Sequence, residues 1–319
     1  MTLPLDGVEG LKSDTTLHSV TVIVVTFQNR GTIDALLDSI PAAAPETDWS
    51  VVVVDNGSTD GTLDHIRGRE SIEIVESGGN YGYAAGINLG LKRARPGSAI
   101  AIINPDVRLR PGSLTTLLNA LNKPDVGVVV PQICDEHERR FPSLRREPTV
   151  LSAFGDALFG SRWQARPKAL SDILWRDEDY EYAHNVDWAS GAAWILSAEC
   201  NAATGRWDER FFLYSEETDY ARRVRSTGLH IRYVPEAQVS HIGGASGRSM
   251  RLDALMELNR FFDFQQGHGR VTSLTFFFAV LLKHVVRSKD GAHRAILRAL
   301  LSHGRQRPTA PELRKWCAT

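Results

Sequence analysis

The chain of 319 residues is poor in cysteine: Cys134, Cys200 and Cys317 stand far apart, odd in number and without a CxxC pair. That disfavours a disulfide framework and a zinc knuckle and fits a reducing, cytoplasmic setting. No apolar run is long enough to span a bilayer; the longest, residues 274–282, stops at Lys283, well short of the roughly 20 residues a spanning helix needs. Residues 1–20 lack a basic stretch followed by an apolar one, so a secretory signal is not expected. Net charge of one sign is also missing: the total is −1, so the molecule as a whole is no polyanion binder. No GxGxxG follows the first β-branched run, where the chain reads Phe27-Gln28-Asn29-Arg30-Gly31. This disfavours a dinucleotide-dependent dehydrogenase and, for want of glycines and a lysine, a nucleotidyltransferase. There is no internal repeat and no low-complexity tract.

What is present alternates between strand and helix. Residues 20–26 (VTVIVVT), 50–55 (SVVVVD) and 99–104 (AIAIIN) are largely apolar and β-branched, as expected of strands buried on both faces, and residues 72–75 and 126–130 read as further strands. Between them, residues 32–40 predict a helix stopped by Pro41, residues 83–94 a second, and residues 113–121 a third with Ser113 as N-cap. The expected fold class is α/β, a mostly parallel central sheet with helices on both faces. Residues 134–186 read as long loops with short helices, residues 189–197 return to strand character, residues 216–226 are helical, and residues 231–234 form a strand. The expected organisation is a flexible tail over 1–18, an α/β domain over 19–246 whose pattern changes at 131, and a basic helical region over 247–319.

Five motifs carry chemistry, and each has a bland reading beside the functional one. Asp55 ends a strand ahead of Asn56-Gly57-Ser58-Thr59-Asp60; it can meet a base or a ribose, or simply close an Asx turn. Residues 78–90 offer glycine and alanine to a ligand, or to helix-on-sheet packing. Asn104-Pro105-Asp106 places a carboxylate beyond a strand end, suited to Mg²⁺ or Mn²⁺ on a diphosphate or to a turn. Glu216, Glu217 and Asp219 fall in a first helical turn behind aromatic residues. They complement the helix dipole, or supply a general base held against an apolar wall. His241, alone, is more often structural than a ligand.

As an ordered set, VVTFQN, VVVVDNGSTDGT, NYGYAAGINLG, INPDV, DWASGAAW and FFLYSEETDYARRVRSTG resemble the family 2 glycosyltransferases of GT-A fold, in particular the rhamnosyltransferases and galactofuranosyltransferases of bacterial cell-surface glycans. The resemblance spans about residues 19–245. It implies an inverting enzyme that uses a nucleotide-sugar donor (dTDP-rhamnose first, UDP-sugars next), a divalent metal and a glycan or polyprenyl-diphosphate-linked acceptor. It implies that Thr26, Phe27, Asp55, Asn80 and Gly82 surround the nucleotide. Asp106 matches the last acid of the family's Asp-x-Asp motif, whose first position is here Asn104, a poorer metal ligand that would contact only the donor or a metal-bound water. Glu217 matches the catalytic base, with Glu216 in reserve, and His241 a metal-binding histidine beside Asp106. Asp187 and Trp188 are expected to face sugar, with a place in the core equally open to Trp188. The rivals are a non-catalytic sugar-nucleotide-binding scaffold and a UDP-sugar transferase acting on a small molecule or protein.

From Gly247 onward there are thirteen basic and five acidic residues, a net +8. Residues 271–287 (VTSLTFFFAVLLKHVVR) and the arginines 294 and 298 fit either basic amphipathic helices on the inner face of an anionic plasma membrane or a hairpin packed on the catalytic domain or on a second subunit of a homodimer. No nucleic acid is implied. Arg139, Arg140, Arg145 and Arg146 are candidates for an acceptor phosphate or a solvated loop.

Overall fold

A computed structural model describes residues 19–160, 162–241, 250–303, 309 and 312–313; the tail expected over residues 1–18 lies outside them. In chain order the elements are β1 (Ser19–Thr26), α1 (Ile33–Ala43), β2 (Asp48–Asp55), α2 (Thr62–Ile66), β3 (Ile72–Glu76), α3 (Tyr83–Leu91), β4 (Ala99–Ile103), β5 (Val107–Leu109), α4 (Ser113–Leu121) and β6 (Val126–Cys134). There follow β7 (Leu144–Arg145), α5 (Val150–Leu158), β8 (His184–Val186), β9 (Trp188–Ala189), β10 (Ala193–Leu196), α6 (Ala198–Thr204), α7 (Glu216–Ser226), β11 (His230–His241), α8 (Met250–Gly267), α9 (Arg270–Val286) and α10 (Gly291–His303).

The main sheet has the order β3-β2-β1-β4-β10-β6-β11-β5, with β8 on β11. β3, β2, β1 and β4 run parallel, as do β6 and β11; β10 is wedged antiparallel between β4 and β6. Alternation along β1 builds two cores. Val20, Val22 and Val24 join α1 and α4 on one face, whereas Ile23 and Val25 join α3 and α7 on the other. Each such side chain, fully buried, contributes roughly 1.5–3 kcal/mol relative to exposure. On α3, Gly86 and Gly90 lie so close to Val25 and Ile23 that a Cβ would collide with them. In that half of the motif, packing is the reading that holds.

Two boundary expectations are corrected. α1 runs through Pro41 to Ala43: in the last turn a proline forfeits a single hydrogen bond, which a helix about to end tolerates. Ser113 is the first helical residue rather than the cap. Gly112, at φ +73°, takes the cap position and no side chain caps it.

The C-terminal helices pack as a bundle against α5. Ala153 of α5 shares a core with Leu258, Phe261 and Phe264 of α8, Phe276, Ala279 and Val280 of α9, and Ile296 and Leu300 of α10. Ion pairs, partly or largely buried, tie the bundle to α7 and to the segment 147–172. Arg222 of α7 donates to Glu147 and to Asp263 of α8, and Arg260 of α8 bridges Asp156 and Asp172 at 3.0 Å each. Burial opposes the charge on Arg260, and the flanking Asp172 and Asp156 more than restore it, so its pKa ends above the ordinary value. Truncation of one partner strands buried charge. Arg260→Ala is therefore expected to cost about 3 kcal/mol of stability, read as a drop in the urea midpoint at unchanged m-value.

Candidate active site

Beyond the carboxyl ends of β1, β2 and β4 opens a cavity of about 460 Å³, within the range of small-molecule sites. Thr26, Phe27, Asn80, Gly82, Asn104, Asp106, Glu216, Glu217 and His241 all line it. Residues separated by up to 215 positions in the chain thus meet in one place.

Sheet pairing brings the imidazole to the strand-end carboxylate. β11 runs antiparallel to β5 with His241 opposite Val107, which sets His241 Nε2 3.1 Å from Asp106 Oδ1. Both side chains are largely buried. Among the described residues no group of three or more His, Cys, Asp and Glu is placed to hold a cation alone. The pair offers one oxygen and one nitrogen donor, the mixed set that Mn²⁺ accepts, and a six-coordinate ion bound there would draw its other ligands from substrate and water. Asn104 is differently engaged: its Oδ1 accepts from the Tyr83 hydroxyl at 2.8 Å, which leaves one lone pair on that oxygen and the NH₂ as a donor.

Helix α7 presents the two glutamates after a strained turn. Tyr214 and Ser215 stand at φ +70° and +71°, a left-handed pair uncommon for residues with side chains. Two contacts hold it. The buried Asn259 of α8 donates to the carbonyls of Leu213 and Tyr214 at 2.9 and 3.2 Å, and Tyr83 N–H donates to Phe212 O at 2.7 Å. Gly82, at φ +90°, lies so near the Phe212 backbone that no Cβ fits. Gly191 likewise abuts the Glu217 carboxylate, which a Cβ would strike.

The electrostatics of the pair differ. Burial pushes the Glu217 carboxyl above its ordinary value, opposed by hydrogen bonds from its own N–H and that of Gly191. Glu216 is raised further, by burial and then by the charge of Glu217, and its Oε2 has no hydrogen-bond partner. Glu216 therefore stays protonated in the folded chain at pH values where the unfolded chain has already ionised it. Its stabilising contribution is present below the ordinary value of 4.5 and fades as pH rises toward the raised folded value. Glu216→Gln is accordingly expected to raise Tm by about 2–4 °C at pH 8, and the difference should vanish near pH 4 in a calorimetric pH series. Burial, with the nearby Glu217, Glu216 and Asp106, likewise keeps Tyr83 a neutral phenol.

Other sequence-based expectations fall elsewhere. Asp55 is not among the lining residues. Its carboxylate accepts from Thr26 Oγ1, Ser58 Oγ and the N–H groups of Gly57 and Ser58, so the Asx-turn reading describes it. The neighbour missed in the sequence, Asn56, lines the cavity; its Nδ2 donates to Gly82 O and its buried Oδ1 has no partner. Asp187 and Trp188 do not line the cavity. Asp187 accepts from Glu147 N–H, and Trp188 Nε1 donates to Arg146 O, because β9 pairs with β7 rather than facing the opening. The four arginines are absorbed internally: Arg139 by Asp135, Arg140 by Asp177, Arg145 by the carbonyls of Pro142 and Leu144, and Arg146 by Lys168 O. Tyr83, Tyr214 and Gly191 also line the cavity, and only the aromatic run before Glu216 hinted at any of them.

Comparisons with known proteins show the family and the fold. The chain is 30% identical over 233 residues to an N-acetylglucosaminyl-diphospho-decaprenol L-rhamnosyltransferase of Mycobacterium tuberculosis, covering 69% of this chain and 75% of the relative. Its fold is shared with a mannosyltransferase of Pyrobaculum calidifontis solved with GDP-Man and Mn²⁺ (TM-score 0.52, 18% identity, 94% of this chain and 79% of that one). It is shared also with GalNAc-T7 solved with UDP, GalNAc and Mn²⁺ (TM-score 0.55, 13% identity, 79% of this chain); this chain spans 48% of that protein. Both neighbours are GT-A glycosyltransferases. Residues 21–207, more than half of the sequence, match the family model for glycosyl transferase family 2, and the chain belongs to that family as a glycosyltransferase of GT-A fold.

Proposed function

We propose that the protein transfers a sugar, L-rhamnose from dTDP-rhamnose as first choice, to a polyprenyl-diphosphate-linked sugar, with inversion at the anomeric carbon. The observation that carries the reading is the charge of the cavity. Its lining holds the Asp106 and Glu217 carboxylates beside the neutral Glu216 and, among the described residues, no lysine or arginine. A diphosphate enters such a site only with a cation, and Asp106 and His241 would hold one. A divalent ion there would neutralise charge on the departing nucleotide diphosphate. The sugar and acceptor choices follow the mycobacterial relative, whose name states a rhamnosyl transfer onto a diphospho-decaprenol glycan.

The chain's own residues account for the remaining work. Asn56 Oδ1, an unpartnered buried acceptor, receives an N–H of the nucleobase. Asn104 donates its NH₂ to the donor. Glu217, held by Gly191 N–H, removes the proton of the acceptor hydroxyl as that oxygen attacks the anomeric carbon opposite the leaving group. The transition state has oxocarbenium character, and the single displacement inverts configuration. Glu216, neutral, places no second negative charge beside the base.

The test is a donor panel of dTDP-rhamnose and UDP-sugars, scored for nucleotide diphosphate release with Mn²⁺ or EDTA, with and without a short-chain polyprenyl-diphosphate N-acetylglucosamine. Acceptor-stimulated release from dTDP-rhamnose, abolished by EDTA, is expected. Release from no donor in the panel would favour the scaffold reading and overturn this one.

A further inference from the structure

Helix α9 is apolar on two sides. Phe276, Ala279 and Val280 face the bundle, yet Val271, Leu274, Phe278 and Val285 are 50–80% exposed. Their spacing of three, four and seven keeps them on one stripe. Beside it lies α5, where Leu151 and Leu158 are more than half exposed at positions i and i+7 around Phe154. The stripes join: the Phe154 and Phe278 rings lie 6.3 Å apart, and Arg287 at the end of α9 donates to Ala157 O of α5 at 2.7 Å. Trp163, just past α5, is exposed and packs edge-on to Phe159 at 4.8 Å. A continuous apolar face of this kind on two packed helices marks an interaction surface.

Charge selects the occupant. Residues 270–303 carry six lysines and arginines against one acid, Asp290. Arg162, Arg270, Lys289, Arg294 and Arg298 are exposed. A second copy docked by a two-fold axis would bring this patch against itself, cation toward cation. The described end of the chain is engaged elsewhere, with Leu313 packed against Phe212, Leu252 and Leu255. Among the described residues no helix is long and apolar enough to cross a membrane.

We infer that the paired outer faces of α5 and α9 dock the protein on the surface of an anionic phospholipid bilayer, apolar side chains entering the headgroup boundary and the basic residues meeting lipid phosphates. The inference deepens the proposed reading, because a polyprenyl-linked acceptor resides in such a surface. α9 and α10 pack on each other as the sequence suggests, and α5, distant in sequence, completes the proposed face with α9.

The experiment is flotation of the full chain with vesicles of phosphatidylglycerol and phosphatidylcholine, against phosphatidylcholine alone, at low and high salt. Wild type should float with anionic vesicles, less so in high salt. Leu274→Glu and Val271→Glu, at highly exposed positions, should each reduce binding at least tenfold, whereas Tyr182→Glu, exposed but off this face, should not. Unchanged melting curves and unchanged metal-dependent release of nucleotide diphosphate show that the variants are folded. Wild type that fails to float, equal partition into neutral vesicles, or full binding by Leu274→Glu overturns the inference. So does a wild-type dimer in sedimentation that Leu274→Glu dissociates. Vesicle binding without turnover of any polyprenyl-linked acceptor leaves the docking face standing and removes the acceptor assignment instead.

Discussion

Replacement of Glu217 by glutamine should lower turnover by about 10²–10⁴-fold while leaving the donor KM close to wild type, since the lost interaction belongs to the transition state. The variant keeps the shape of the side chain and removes its basicity. Wild-type kcat/KM for the acceptor should rise with pH as the carboxyl loses its proton. Because burial raises that pKa, the rise should centre above the ordinary carboxylate value of 4.5, and in Glu217→Gln this acid limb should disappear. A companion change tests position rather than basicity. Gly191→Ala drives a methyl into Glu217 Oε1, and displacement of a base by about 1 Å is expected to cost about 10²-fold. Glu217→Gln protein that retains wild-type release rates in the presence of acceptor would transfer the role to another group.

The second large effect concerns Asp106 and His241. Asp106→Ala should reduce turnover by about 10²–10³-fold, the equivalent of several kcal/mol of lost charge neutralisation. It should also move the Mn²⁺ activation curve to higher concentration. His241→Ala should do the same to a lesser degree, and the two changes together should cost less than the sum, because both act on one centre. Identical Mn²⁺ titrations for wild type and Asp106→Ala would separate the carboxylate from the metal.

Much of the fold is legible in the sequence because its central strands are buried on both faces. β1, β2 and β4 therefore appear as unbroken β-branched runs, and α7 begins where residue 216 was expected to begin it. Asp106, next to such a strand end, is legible for the same reason, whereas Thr26 and Asn104 are implied only by the family resemblance. What escaped depends on pairings between distant segments. Nothing local says that residue 241 extends β11 far enough to meet β5. The exchange of Asp55 for its neighbour Asn56 turns on which of two adjacent side chains the turn consumes. Tyr83 is readable as a helix start but not as the partner of Asn104. Asp187 and Trp188 followed a plausible pattern, yet the β7–β9 ribbon turns them to other partners. The left-handed pair at Tyr214 and Ser215 breaks the local preference of both residues and is held by an asparagine 44 positions beyond Ser215.

That last contact bears on the order in which a growing polypeptide becomes useful. As the chain leaves the ribosome, every cavity-lining residue through His241 emerges before Asn259 does. The glutamates are then present without the strut that fixes the turn preceding them. Synthesis halted near residue 250 would deliver the whole family-matched region and all the proposed metal donors, and the turn before the glutamates would still lack one of its two holds.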